Sequence, residues 1–323
     1  MTSKSLLPAF AAACLFVLSL GNACAAPKQI VYLSAKADLP FWGTVGKGVK
    51  EVAEANGYTF QEMDSDLNGA TQLQNAKAAI AHGVAGIVIS PTDSKTAPDV
   101  LDAALKARVP VVIADVGTNG GDYVTYVKSD NYRGAYDVGA ELAAAFKEKG
   151  WTADPFALIT ISLARKNGQD RTNGFRDAMK DAGLTREAGL KQMQNYSADE
   201  TYQYVRDMLK TTPGLRGLFI ETDQPVGGAL RAIREFRESK KNGEVLIASF
   251  DAMPEVAELL KGGSLVAVGM QQPYLMGSKA AEALVGRLKG TPQPKQVLVP
   301  ILVATNKNIA QLLPVASKTV FGR

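Results

Sequence analysis

From Gln29 onward, short apolar runs rich in β-branched residues alternate with amphipathic stretches of helical length, and few architectures accept that rhythm. The runs are Ile30–Leu33, Tyr58–Phe60, Gly86–Ile89, Val109–Ala114, Tyr123–Val127, Phe156–Ile161, Leu215–Ile220, Val245–Phe250 and Leu265–Val268. Helical patterns fall between them at Val45–Asn56, Thr71–His82, Ala97–Ala107, Tyr132–Lys147, Gly174–Ala182, Thr201–Leu209 and Val226–Glu238. Most runs are continuously apolar, so their strands are covered on both faces, as in parallel sheets whose crossovers are helices. At 323 residues the chain has room for two such sheets. The expected fold class is α/β: two lobes, each a parallel β-sheet sandwiched by helices with right-handed crossovers. No solenoid-period repeat and no low-complexity linker interrupts the pattern, so short crossings should join the lobes.

Composition narrows the function. Hydrophobic residues make up 46% and charged residues 21%, and the net charge of +4 comes from 36 basic and 32 acidic residues of both signs interspersed. No block of like charge offers a nucleic-acid or lipid surface. The chain has a single histidine, His82, and two cysteines, Cys14 and Cys24. Most metal sites and nucleophile–histidine mechanisms are thereby excluded. There is no G-x-x-x-x-G-K-[ST] loop and no G-x-S-x-G elbow, and Gly46-Lys47-Gly48 lies within a helical pattern. The segment Asp64 to Gly69 imitates the start of a calcium loop, but its twelfth position is Asn75 where a bidentate glutamate is required. The expectation is a protein that is not an enzyme and needs no cofactor or metal.

The first 25 residues read as an export signal. Lys4 is their only charge, Leu6 to Leu20 is almost wholly apolar, and Ala23-Cys24-Ala25 supplies the small residues of a cleavage site. The apolar run is too short to span a membrane. Gly21, three residues before Cys24, argues against lipid attachment there, so cleavage after Ala25 is expected. The mature chain would contain no cysteine, and in an oxidising compartment its stability would rest on core burial alone.

Polar residues gather just after the strands: Ser34, Pro91-Thr92-Asp93, Asp115, Ser129-Asp130-Asn131, Thr222-Asp223, Asp251 and Gln271-Gln272. Open α/β sheets bind ligands outside the carboxyl ends of their strands. The same residue types also cap helices, and Asp66, Asp93, Asp130 and Asp223 are assigned to caps or turns. Asp115 and Asp251 each end a strongly apolar strand without an evident helix to cap, which leaves a ligand role open beside a structural one.

Several motifs in order carry a resemblance over nearly the whole mature chain. They are Pro40-Phe41-Trp42, SPTDS at Ser90 to Ser94, VPVVIAD at Val109 to Asp115, and KSDN at Lys128 to Asn131. RTNGF at Arg171 to Phe175, GALRAI at Gly228 to Ile233, SFDAMPE at Ser249 to Glu255 and QQPYLMG at Gln271 to Gly277 follow. In these the chain resembles the ribose-binding, type I family of periplasmic solute-binding proteins of ABC importers. The resemblance implies a three-crossing hinge between lobe one (26–129 plus 272–300) and lobe two (130–271 plus 301–323). It implies stacking aromatics at Phe41, Trp42 and Tyr196, and hydroxyl-binding groups at Asp115, Arg171, Asp251 and Gln271, with Thr222 beside them. Aromatic faces cover the C–H side of a sugar ring while charged groups take pairs of hydroxyls.

Two departures argue against ribose itself. Val116 stands where the family places an arginine, and Thr222 where it places an asparagine. The loop from Ser34 to Pro40 is one residue longer than the family's, leaving its contacts open among Ser34, Ala35, Lys36 and Asp38. The implied ligand is a small polar solute, a monosaccharide or polyol, and the implied partner a membrane permease in the periplasm. A sensor subunit addressing a chemoreceptor or sensor kinase is the alternative. No nucleic-acid partner is expected.

Overall fold

The computed structural model describes residues 28–239 and 243–323, so the leader and Cys24 lie outside the described residues. Two six-stranded sheets form its frame. The first contains β1 (Gln29–Ser34), β2 (Thr59–Asp64), β3 (Gly86–Ile89), β4 (Val111–Ala114), β5 (Tyr126–Ser129) and β11 (Gln296–Val299), ordered β11-β5-β4-β3-β1-β2. The second contains β6 (Phe156–Thr160), β7 (Glu187–Gln192), β8 (Gly217–Ile220), β9 (Leu246–Phe250), β10 (Ala267–Met270) and β12 (Leu302–Thr305), ordered β12-β10-β9-β8-β6-β7. The two orders are the same word spelled with different strands. The chain passes between the sheets three times, after β5, after β10 and between β11 and β12.

One pairing departs from the expected all-parallel pattern: β12 runs antiparallel to β10, with Ala267 opposite Thr305 and Met270 opposite Leu302. The cause is local. β11 ends at the same side as the other parallel strands, and β12 follows within a few residues without a helix, so it enters its sheet from the end at which β10 finishes.

Each sheet is packed on both faces. Helices α1 (Pro40–Ala55) and α9 (Pro273–Leu288) cover one face of the first sheet, where Ile30 and Tyr32 point, while α2 (Gly69–Ala81) and α3 (Ala97–Lys106) cover the other, where Val31 and Leu33 point. That is the period of two of a strand buried on both sides. In the second lobe α4 (Asn131–Glu148) and α5 (Lys166–Asp181) pack on one face. The other face takes α6 (Ala198–Thr211), α7 (Val226–Ser239), α8 (Val256–Lys261) and α10 (Ile309–Thr319). Helices α1 and α9 meet backbone to backbone. A Cβ on Gly277 would lie 2.0 Å from the Val45 carbonyl oxygen, and one on Gly48 would lie 2.2 Å from that of Tyr274.

Six of the described elements answer to no run or helical pattern singled out in the sequence: β7, β11, β12, α8, α9 and α10. β7 reads EAGLKQ and is an edge strand with no fully buried residue, so it carries no apolar run. β11 and β12 share one apolar stretch split by Pro300, and α10 contains Pro314, a residue that ordinarily ends a helix. Helix α9, read only as the motif QQPYLMG, starts with Pro273 in its first turn, where a missing N–H is harmless.

Candidate functional site

A cleft of about 450 Å³ opens where the carboxyl ends of the two sheets face each other. All eight residues singled out from the sequence line it: Phe41, Trp42, Asp115, Arg171, Tyr196, Thr222, Asp251 and Gln271. Lys36 lines it too, while Val116 is buried in the core beside Ala114 and Tyr32 and does not face the cleft.

The first lobe contributes Asp115, directly after β4. Its backbone is left-handed, with φ of 70°, and is fixed by its N–H to Val127 O (2.9 Å) and by Tyr126 Oη donating to its carbonyl (2.7 Å). The side chain is buried, and its Oδ1 has no partner among the described residues. Burial pushes the carboxyl up to about 6, with the Arg171 guanidinium opposing and the Asp251 carboxylate adding to the rise.

The second lobe contributes a connected network. Arg171, on α5, is 2% exposed. Its Nε donates to Asn131 Oδ1 (2.9 Å), and its Nη1 donates to the Glu221 carbonyl (2.6 Å) and to Asp251 Oδ2 (3.2 Å). The guanidinium carbon also lies 4.1 Å from the centre of the Phe250 ring. Gln271 Nε2 donates to Asp251 Oδ1 (2.6 Å), and Thr222 Oγ1 lies 3.5 Å from Oδ2. Gln271 Oε1, like Asp115 Oδ1, is buried without a partner among the described residues. Two cleft residues therefore hold buried acceptors without a donor among the described residues, a costly arrangement unless a ligand donates to them.

Aromatic rings form the walls. Phe41 and Trp42, in the first turn of α1, pack edge to face with centroids 4.9 Å apart. Trp42 belongs to the buried core of the first lobe while also lining the cleft. Across from them Tyr196, with φ of 54°, accepts a hydrogen bond at its hydroxyl from Ser162 N (3.0 Å).

Several site residues were not singled out from the sequence. Arg165, just before α5, and Asn167, in the polar first half of that helix that hides its periodicity, line the cleft upstream of the RTNGF motif. Glu221 lies behind Arg171, fully buried. Its Oε2 accepts from Ile161 N (3.0 Å) and its Oε1 from Thr172 Oγ1 (2.5 Å), while burial raises its carboxyl to about 8. Asp223, assigned to a cap or turn, lines the cleft, and burial together with the Asp251 carboxylate raises it to about 6. Of the other aspartates so assigned, Asp130 caps α4 by accepting from Arg133 N, and Asp93 holds the turn before α3 by accepting from Lys95 N and Thr96 N. In the calcium-like segment Asp64 accepts from Ala37 N and Asp66 N, Asp66 pairs with Lys36, and Asn68 caps α2.

Two like α/β lobes with a partly unsatisfied polar cleft at their strand ends define a two-lobed binding-protein architecture. The chain belongs to the family described as the periplasmic binding protein domain, whose model matches residues 30–292. Its relatives place it with the ribose-binding, type I branch. It is 27% identical over 300 residues to the ribose import binding protein RbsB of Salmonella typhimurium, covering 90% of this chain and 94% of that one. It is 24% identical over 307 residues to a D-apiose import binding protein of Paraburkholderia graminis, covering 94% and 96%. The fold matches a carbohydrate transporter solute binding protein of Agrobacterium radiobacter, solved with D-arabinose, at a TM-score of 0.81 and 23% identity, covering 92% and 99%.

Proposed function

We propose that this chain is the periplasmic substrate-binding component of an ABC importer and that its cleft closes on a small neutral polyhydroxylated solute, a monosaccharide or polyol. The observation that carries this reading is the pairing of unsatisfied acceptors, Asp115 Oδ1 and Gln271 Oε1, with aromatic walls from Phe41, Trp42 and Tyr196. Vicinal hydroxyls supply donors to such acceptors and a C–H face to such rings. The import functions named for its relatives support the importer role. The eight cleft residues bind the solute, lobe one comprises 26–129 with 272–300, and lobe two 130–271 with 301–323. Export follows cleavage after Ala25.

Because the solute touches both lobes only when they are closed, its affinity for that state drives closure, and a permease reads the closed form. A thermal-shift screen of pentoses, hexoses and polyols, with amino acids as controls, tests the reading. A true solute at a hundredfold excess over Kd adds about 2.7 kcal/mol of stability. Stabilisation by amino acids alone, or by nothing in the panel, would reject it.

A further inference from the structure

We propose that Arg165 is the latch of the cleft, a second-lobe guanidinium that grips the first lobe across the opening and slows release of the bound solute. The idea rests on the solute-binding reading above but concerns a residue outside the Asp115–Asp251–Arg171 group. Arg165 stands immediately before α5, with its N–H bonded to Ser162 O (3.1 Å) and its carbonyl accepting from Gln169 N (3.2 Å). Its side chain leaves the second lobe: Nη2 donates to Thr92 O at 3.1 Å, in the turn that follows β3 of the first sheet.

The acceptor is rigidly held. Thr92 N donates to Gln72 Oε1 (3.1 Å), and the same buried amide donates through Nε2 to Ser90 O (2.9 Å). Asp93 then ties down the next turn through Lys95 N and Thr96 N. On the cleft side the Arg165 guanidinium lies 5.9 Å from the centre of the Tyr196 ring, within reach of a cation–π contact. Its charge also bears on buried Asp115, whose neighbour Val116 offers no donor. Donor and acceptor of the Arg165–Thr92 bond belong to different lobes, so separating the lobes breaks it. A bond made only on closure acts on dissociation far more than on encounter. Arg165 is thus a positioning residue for the closed state.

The test uses Arg165→Gln and Arg165→Lys, with circular dichroism as a check of folding. Stopped-flow dissociation of the best solute from the screen should be at least about tenfold faster in Arg165→Gln, with the association rate within about twofold of wild type. Arg165→Lys, which keeps the charge and its N–H donors on one nitrogen but loses the planar fork, should fall between. Small-angle scattering of the free protein should show a larger radius of gyration for Arg165→Gln. Unchanged dissociation and an unchanged radius would overturn the latch. If no solute in the panel binds, the proposed function fails by itself, and the radius of the free protein alone decides the role of Arg165.

Discussion

Asp115 and Asp251 occupy corresponding positions in the two lobes. One follows β4 and the other β9, the third strand from the hinge-side edge of each sheet. Both are left-handed, with φ of 70° and 61°, and each donates its N–H to the next strand toward that edge, Asp115 to Val127 O and Asp251 to Gly269 O. The same local fold thus aims two carboxylates at one cleft from opposite sides. Their surroundings differ. Asp251 is met by Arg171, Gln271 and Thr222, whereas Asp115 keeps an oxygen without a partner among the described residues.

That difference fixes a pH dependence. The Asp115 carboxyl is raised to about 6 from an ordinary 3.8, so between those values the folded protein holds a proton that the unfolded chain has lost. Stability of the free protein should fall as pH rises through that interval, by on the order of 3 kcal/mol for this group, and then level off. Asp223 acts with the same sign in the same window. Asp115→Asn should flatten the curve, as read by urea unfolding between pH 4 and 7. Solute affinity should drop about tenfold from pH 7 to pH 5, because the proton occupies the acceptor that the solute requires.

Asp251→Ala should damage both binding and stability. A carboxylate at a strand end that faces open solvent contributes little to a fold. The structure instead makes Asp251 the counter-ion of an arginine that is 2% exposed. Removing it leaves that charge without its carboxylate, so a loss of about 3 kcal/mol in stability is expected alongside at least a tenfold loss in affinity. Calorimetry and chemical denaturation of the same variant check the two effects.

Glu221→Gln should be tolerated and should stabilise the protein at alkaline pH. Its oxygen can still accept from Ile161 N while its amide donates to Thr172 Oγ1. The wild-type carboxyl, raised to about 8, weakens the fold as pH climbs from near 4.5 toward 8, and glutamine removes that penalty. Glu221→Ala strips the partner from a buried backbone N–H and should cost about 1–3 kcal/mol at any pH. Thermal melts at pH 5 and pH 9 distinguish the two variants.

Gly277→Ala should be among the most damaging single-methyl changes. The added carbon would meet the Val45 carbonyl oxygen at 2.0 Å, and that oxygen belongs to helix backbone, which cannot swing aside. Forcing α1 and α9 apart should cost about 3 kcal/mol or more. Gly57→Ala is a useful contrast: its added carbon meets nothing, so only its φ of 80° is penalised. Denaturation midpoints of the pair should differ clearly.

The frame was legible because both lobes are built from strands buried on two faces, and such strands announce themselves by continuous apolar runs. What escaped did so for physical reasons. β7 is a half-exposed edge, and the first half of α5 turns Asn167 and Arg171 toward the cleft in place of an apolar face, so the helix reads from Gly174 only. The eight cleft residues came from the resemblance, since a polar residue after a strand looks the same whether it caps a helix, as Asp130 does, or lines a cleft, as Asp223 does. Arg165 and Glu221 act across the fold, on Thr92 in the other lobe and on Ile161 at the end of the neighbouring β6, and short-range patterns do not encode such partners.

The late position of β11 and β12 governs the order in which the molecule can be made. Each seals the edge of a sheet whose other five strands all precede it in the chain, β11 against β5 and β12 against β10. Until residues 296–305 emerge, both β5 and β10 present an unpaired rim, and neither half can reach its finished form. Nascent polypeptide therefore stays incomplete on two fronts until one short ribbon arrives, and that ribbon completes the two halves together. Such a chain remains threadable for a long time, at the cost of exposing open edges to neighbouring chains.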